Sequence, residues 1–243
     1  MHSRDLIEQY KTYVQDWRRY FHKHPELSNE EFETTKTLAK ELESMGVEVH
    51  VDTERGTGLI GIIHGDKSGK AIALRADIDA LPVQEHNTFD FKSDVDGKMH
   101  ACGHDGHMAI LLGAAKMLTS MKDRIEGDVY LAFQPAEETG AGAPDFMKFG
   151  DWFEKIDAIF GGHVWIDLPA GLISVEEGPR MAASSKITIN VKGKQGHGAQ
   201  PHQAVDAIVV ASAIVMNLQT VVSRNVSALD SLVITIGNIH SGS

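Results

Sequence analysis

Short apolar runs of strand length alternate with helical stretches along most of the chain, which restricts it to layered α/β architectures. VEVHVD (47–52), GLIGIIHG (58–65), AIALRADID (71–79), DVYLAFQ (128–134), DAIFGGHV (157–164) and GLISVEEG (171–178) read as strands. Helical periodicity covers residues 4–22. A Ser28-x-x-Glu31 capping box predicts a second helix running to Gly46. Asp105 is placed to N-cap a third, whose apolar residues run from Met108 to Leu118, and a fourth is expected around 143–153. A long polar loop crosses 83–101. Residues 1–183 are therefore expected to form one α/β domain.

Residues 184–243 have a different character. SSKITINVKGK alternates as a strand, the loop QGHGAQPH follows, Ala204 to Thr220 reads as a strong helix, and SLVITIGNI as another strand. This looks like the start of a second, smaller α+β domain. Alone, a β–α–β piece would bury little surface and leave open edges, so the expectation is that it is incomplete.

The formal net charge is −11 and no cluster of Lys and Arg stands out, which argues against nucleic acid or an anionic membrane as partner. The first residues, MHSRDLIEQYKTYVQDWRRYF, lack the apolar core of a secretion signal. The longest nearly apolar stretch, Ala207 to Leu218, is too short to span a bilayer. A single cysteine forbids an internal disulfide and fits a reducing compartment, so a cytoplasmic protein is expected. The 13 histidines are unevenly spread: His100, His104 and His107 lie within eight residues, around the only thiol, Cys102.

Open α/β sheets bind ligands at the carboxyl ends of their strands. Asp77 and Asp79 end one run, Glu137 and Glu138 follow another, His163 follows a third, and Cys102 and His104 lie just before a helix. Taken singly, each has a bland alternative. Cys102 could be a buried structural thiol, an adjacent glutamate pair is ordinarily a solvated loop, and His163 could be a satisfied polar residue. His107, one turn beyond His104, reads best as a helix-face residue. Convergence of four segments on one rim outweighs those alternatives. Thiolate, imidazole and carboxylate together suit a zinc-like or manganese-like cation. One carboxylate of the doublet would then hold metal, while its neighbour takes a proton from metal-activated water. Asp79 is expected to orient a ligating imidazole, and Asp77 to share that role or bond to loop amides.

RRYFHKHPELSNEEFET, LRADIDALPVQE, MHACGHDGHMA, FQPAEE, GGHV and GKQGHGAQPH occur in the order and spacing of family M20 amidohydrolases. The resemblance is to the subgroup that includes hippurate and indoleacetyl-amino-acid hydrolases, and it covers nearly the whole chain. It implies a layered α/β metallohydrolase domain with a ferredoxin-like lid and dimerisation domain. Two divalent ions (Zn, Mn, Co or Ni) would be held by Cys102, His104, Glu138 and His163, with Glu137 as catalytic base and Asp79 behind the ligands. His197 would reach the active site of a partner subunit in a homodimer and help stabilise the oxyanion. Arg224 and Asn225 fall where related enzymes place lid residues near substrate. The implied reaction is hydrolysis of the amide bond of a small N-acyl amino acid.

The family supplies one further histidine ligand from beyond the lid, and His240 does not correspond to it. The expectation is an incomplete enzyme that binds metal weakly and hydrolyses poorly. Two rival readings are a cysteine-nucleophile amidase built on Cys102 and a non-catalytic fragment acting through lid-mediated dimerisation.

Overall fold

In the computed structural model, which describes residues 3–178, 181 and 183–242, the chain divides into two units, Met1–Gly178 and Pro179–Ser243. The first holds a mixed five-stranded sheet. Its elements are α1 (Ser3–Lys23), α2 (Phe32–Ser44), β1 (Glu48–Val51), β2 (Leu59–His64), β3 (Ile72–Asp77), α3 (His104–Thr119), β4 (Asp128–Gln134), α4 (Gly142–Phe146), α5 (Trp152–Lys155) and β5 (Ala158–Gly161). The strand order is β1-β2-β4-β3-β5. β1, β2 and β4 pair antiparallel, while β3 lies parallel to both β4 and β5.

Strand pleating explains the apolar runs. Along β4, Val129, Leu131 and Phe133 face a core with Leu38 and Leu42 of α2, Met108 and Leu112 of α3, and Phe21 of α1. The intervening Tyr130 and Ala132 face a second cluster with Phe146 of α4 and Trp152 of α5. Helices thus cover both faces of the sheet, and a strand buried on both sides must be apolar throughout. The expected helix at 143–153 is two short ones, with Gly150 at φ 62 between them.

The two expected caps are otherwise employed. Ser28 donates instead to Asp79 Oδ2 at 2.6 Å. The amides opening α2 are taken by Glu26, whose carboxylate accepts from Glu33 N at 3.2 Å and Thr34 N at 2.7 Å. Asp105 lies inside α3, after an N-cap at Gly103, and is buried. Its Oδ2 accepts from Arg18 Nε at 2.9 Å and lies 2.8 Å from His22 Nδ1. His22 Nε2 sits 3.2 Å from Glu85 Oε1, so this network ties α1 and the polar loop to the start of α3.

Across β1, β2 and the start of β4, Glu48 bridges His50 (2.7 Å) and His64 (3.1 Å), and His64 also meets Asp128 at 3.0 Å. Hydrogen bonds to Glu48 and then Asp128 raise the His64 pKa above its ordinary 6.5, and His64 in turn lowers that of Glu48 below 4.5. The His64 contribution to stability is complete below pH 6.5 and lost as pH rises through the raised value. That of Glu48 is complete above pH 4.5 and lost as pH falls through the lowered one. Tm should therefore carry a small component that peaks between those limits. His64→Gln should flatten the decline from pH 6 to 9, and an unchanged Tm–pH curve in that variant would refute the assignment.

The second unit contains α6 (Ala207–Thr220), continued by a π-helical turn, Val221–Asn225. Asp206 caps α6 through Ile208 N (2.9 Å) and Val209 N (3.1 Å). Among the described residues, the segments expected as strands at 184–194 and 231–239 join no sheet, nor does 171–178 in the first unit. Ile187 and Val233 stand more than four-fifths exposed. Alternation specifies which side chains share a face, yet a strand forms only with a neighbour to bond. Only Lys194 and Val205 make an isolated bridge there. The helix starts three residues later than the expected Ala204 and ends at Thr220 as expected. With the π turn, however, the helical stretch Ala207–Asn225, 19 residues, is long and apolar enough to cross a membrane by length and composition, where the run Ala207 to Leu218 was expected to be too short.

Candidate metal centre

β3, β4 and β5 are parallel, so their carboxyl ends share one edge of the sheet, and the suspected residues lie there. β3 ends at Asp77 and leads to Asp79, β4 leads through Pro135 and Ala136 to Glu137 and Glu138, and β5 leads to His163. The N-terminus of α3 brings Cys102 and His104 to the same edge. Between them Gly103 adopts φ 90, and a Cβ there would stand 2.4 Å from Val164 Cγ2. Only glycine fits that turn.

The side chains converge. Cys102 Sγ is 3.4 Å from His163 Nε2. His104 Nε2 is 3.8 Å from Glu138 Oε1 and 3.9 Å from Glu137 Oε2. Ligand atoms of Cys102, His104 and His163 lie within 4.8 Å of one another, as do those of His104, Glu137 and Glu138. The two glutamates are not equivalent. The Glu138 side chain is 21% exposed and Glu137 is 42% exposed, at the mouth.

Each imidazole is held in one tautomer. His104 Nδ1 donates to the Asp79 carbonyl oxygen at 2.9 Å, with Asp79 Oδ1 3.2 Å away, and His163 Nδ1 donates to the Val164 carbonyl at 2.5 Å. Both rings therefore present Nε2 to the shared space. His104 Nε2 and Glu138 Oε1 are buried and have no hydrogen-bond partner. Buried polar atoms are seldom left so, and a cation is the partner that satisfies a ring nitrogen and a carboxylate oxygen at once.

Charge points the same way. The Cys102 thiol is pushed up to about 12 by burial and then by Glu138, Glu137 and Asp77. Burial likewise raises the pKa of Glu138. For His104 burial works downward, but Asp79, Asp77 and Glu138 outweigh it and raise the pKa. A site so rich in anions suits divalent cations and disfavours a free thiolate, which argues against Cys102 as a nucleophile.

Asp79 stands behind His104, with Oδ2 also accepting from Ser28 and from Glu138 N at 3.0 Å. Asp77 has a comparable network. Its Oδ2 takes Arg75 Nη1 at 2.7 Å and its Oδ1 lies 2.5 Å from His107 Nδ1. His107 lies on α3 as expected, on its buried face, with its Nε2 accepting from Val164 N at 2.9 Å. With Nε2 an acceptor, Nδ1 must carry the proton given to Asp77. His107 thus fixes the chain beside His163, a role unread in the sequence although both blocks were singled out. In the second unit, His197 Nδ1 accepts from Ala199 N at 3.1 Å, and Arg224 and Asn225 lie in the π turn.

The doublet rests on an unusual backbone. Ala136 adopts the left-handed region, φ 54 and ψ 39, which costs a non-glycine residue about 1–2 kcal/mol. The turn is closed at Gly142, where a Cβ would stand 2.1 Å from the Pro135 carbonyl.

A family profile described as Peptidase family M20/M25/M40 matches residues 73–231. An N-acyl-L-amino acid amidohydrolase of Geobacillus stearothermophilus is 42% identical over 98% of this chain and 64% of its own length. The IAA-amino acid hydrolase ILR1-like 4 of Arabidopsis thaliana is 44% identical over 93% of this chain and 52% of its own. The crystal structure of the Bacillus subtilis YXEP protein, described as a dinuclear metal binding peptidase from the M20 family, is similar with TM-score 0.68 and 45% identity. That match covers 71% of this chain and 48% of that one. A putative aminohydrolase from methicillin-resistant Staphylococcus aureus matches with TM-score 0.75 and 38% identity, covering 98% and 64%. The chain thus spans roughly half to just under two-thirds of the length of these relatives.

Proposed function

Since the chain belongs to peptidase family M20/M25/M40, we propose that it carries the metal-binding part of a hydrolase that cleaves the amide bond of small N-acyl amino acids. One observation carries the reading: His104 Nε2 and Glu138 Oε1 are buried and unpartnered, beside Cys102 and His163, where parallel strands end. Cys102, His104, Glu138 and His163 would hold two divalent ions. When bound, these supply Lewis acidity, lowering the pKa of water and polarising a carbonyl.

The remaining steps belong to the protein. Glu137, the more exposed of the two at 42%, accepts a proton from the attacking water and returns it to the leaving amine. Asp79 and the Val164 carbonyl keep the two imidazoles facing inward. His197 is assigned to the oxyanion of a second copy in a homodimer, with Arg224 and Asn225 near the substrate; the GKQGHGAQPH block supports this. Support for the substrate class comes from relatives named for N-acyl amino acids and for indoleacetyl conjugates.

The test begins with chain stripped by chelator. Adding Co2+ should produce a thiolate-to-metal absorption band that Cys102→Ser lacks, and Zn2+, Mn2+ or Co2+ should restore hydrolysis of acetyl- or benzoyl-amino acids. Absence of any metal-induced band would overturn the reading.

A further inference from the structure

Glu31 is fully buried, on the chain just before α2, and 105 residues from Ala136, which precedes the glutamate doublet. Its Oε1 accepts a hydrogen bond from Ala136 N at 2.8 Å. Ala136 is the residue in the left-handed conformation, and the chain direction set there decides where the next two side chains go. Two residues on, Glu138 N is held by Asp79 Oδ2 at 3.0 Å. A buried carboxylate thus grips the amide on each side of Glu137. Only Oε1 is engaged in this way, while Oε2 is buried without a hydrogen-bond partner, and burying such a group is costly, so this placement of Glu31 calls for a purpose beyond filling space. An apolar side chain of similar size would fill the volume but leave the Ala136 amide without an acceptor and the left-handed turn without a restraint.

We propose that Glu31 is a positioning residue. By holding the Ala136 amide it maintains the left-handed turn that swings Glu138 toward His104 Nε2 and leaves Glu137 at the mouth. The inference rests on the metal-binding reading above and extends it to a residue whose side chain bonds to the Ala136 amide rather than to any of the four proposed ligands.

The test uses the whole chain and reads Co2+ affinity and absorption rather than turnover, with far-ultraviolet circular dichroism and Tm as controls for folding. Glu31→Leu should weaken Co2+ binding about 10–100-fold, the scale typical of groups supporting a ligand, while the thiolate band of Cys102 persists. Glu31→Gln, whose amide oxygen still accepts from Ala136 N, should bind like the wild type. Adding Ala136→Gly to Glu31→Leu should recover most of the lost affinity, because glycine adopts positive φ without penalty.

A folded Glu31→Leu variant with wild-type affinity overturns the proposal. So does a Glu31→Gln variant as weak as Glu31→Leu, or a folded double variant with no recovery, since a merely structural Glu31 would gain nothing from glycine at 136. If Glu31→Leu alone fails to fold, the double variant decides on the same criterion. Failure of the wild-type chain to bind Co2+ would instead sink the metal reading itself, and so is distinguishable.

Discussion

Replacing Glu137 by glutamine is expected to cut amide hydrolysis by the metal-loaded chain about 10²–10⁴-fold, the usual contribution of a general acid–base residue, while leaving Co2+ affinity unchanged. The asymmetry of the doublet is the reason. Glu138 turns a buried, unpartnered oxygen toward His104, whereas Glu137 keeps its carboxylate 42% exposed. Glutamine preserves size and polarity but cannot take a proton. Glu138→Gln should behave in the opposite manner, losing metal first and turnover as a consequence. Measuring kcat and Co2+ affinity for both variants separates the roles. If Glu137→Gln turned over at the wild-type rate, or lost metal as Glu138→Gln does, the division of labour would be wrong.

Phe133→Ala should be the most damaging core substitution, costing about 3–5 kcal/mol by lost burial and the cavity left behind. Phe133 is fully buried in the larger cluster, two residues before Pro135, so its loss removes packing beneath the strand that delivers the doublet. Against a typical total of about 5–15 kcal/mol, that is enough to shift a urea midpoint well below the wild type. Ile159→Ala, on the edge strand β5 at 49% exposure, serves as the contrast and should change stability by less than about 0.5 kcal/mol. Equal midpoint shifts in the two variants would contradict the assignment of the core.

Much of the centre was legible because strand ends are visible in sequence. Asp77, Glu137, Glu138 and His163 each stop an apolar run, and parallel pairing of β3 with β4 and β5 puts those ends on one edge. What holds these side chains in place was less legible, because it depends on contacts between distant segments. Ser28 looks like a helix cap until Asp79, 51 residues away, offers a buried carboxylate. His107 looks like an ordinary helix-face residue until Asp77 and the Val164 amide close on its two nitrogens. Glu31 shows in the sequence only as part of a capping motif.

The second unit shows the limit of periodicity. The pattern in SSKITINVKGK is faultless for a strand, but the ladder that would make it one is missing among the described residues. For α6 the local signal sufficed, since a helix satisfies its own backbone, and only its start, three residues after the expected Ala204, and the π turn beyond Thr220 were missed.

The two imidazoles are clamped by main-chain carbonyls, one from the Asp79 peptide and one from the Val164 peptide. An arriving ion therefore meets donors already aimed, with no ring rotation or proton relocation between nitrogens to wait for. The speed of loading should then follow how quickly each ion sheds its hydration shell, so that sluggishly exchanging Ni2+ enters far more slowly than Mn2+ or Zn2+.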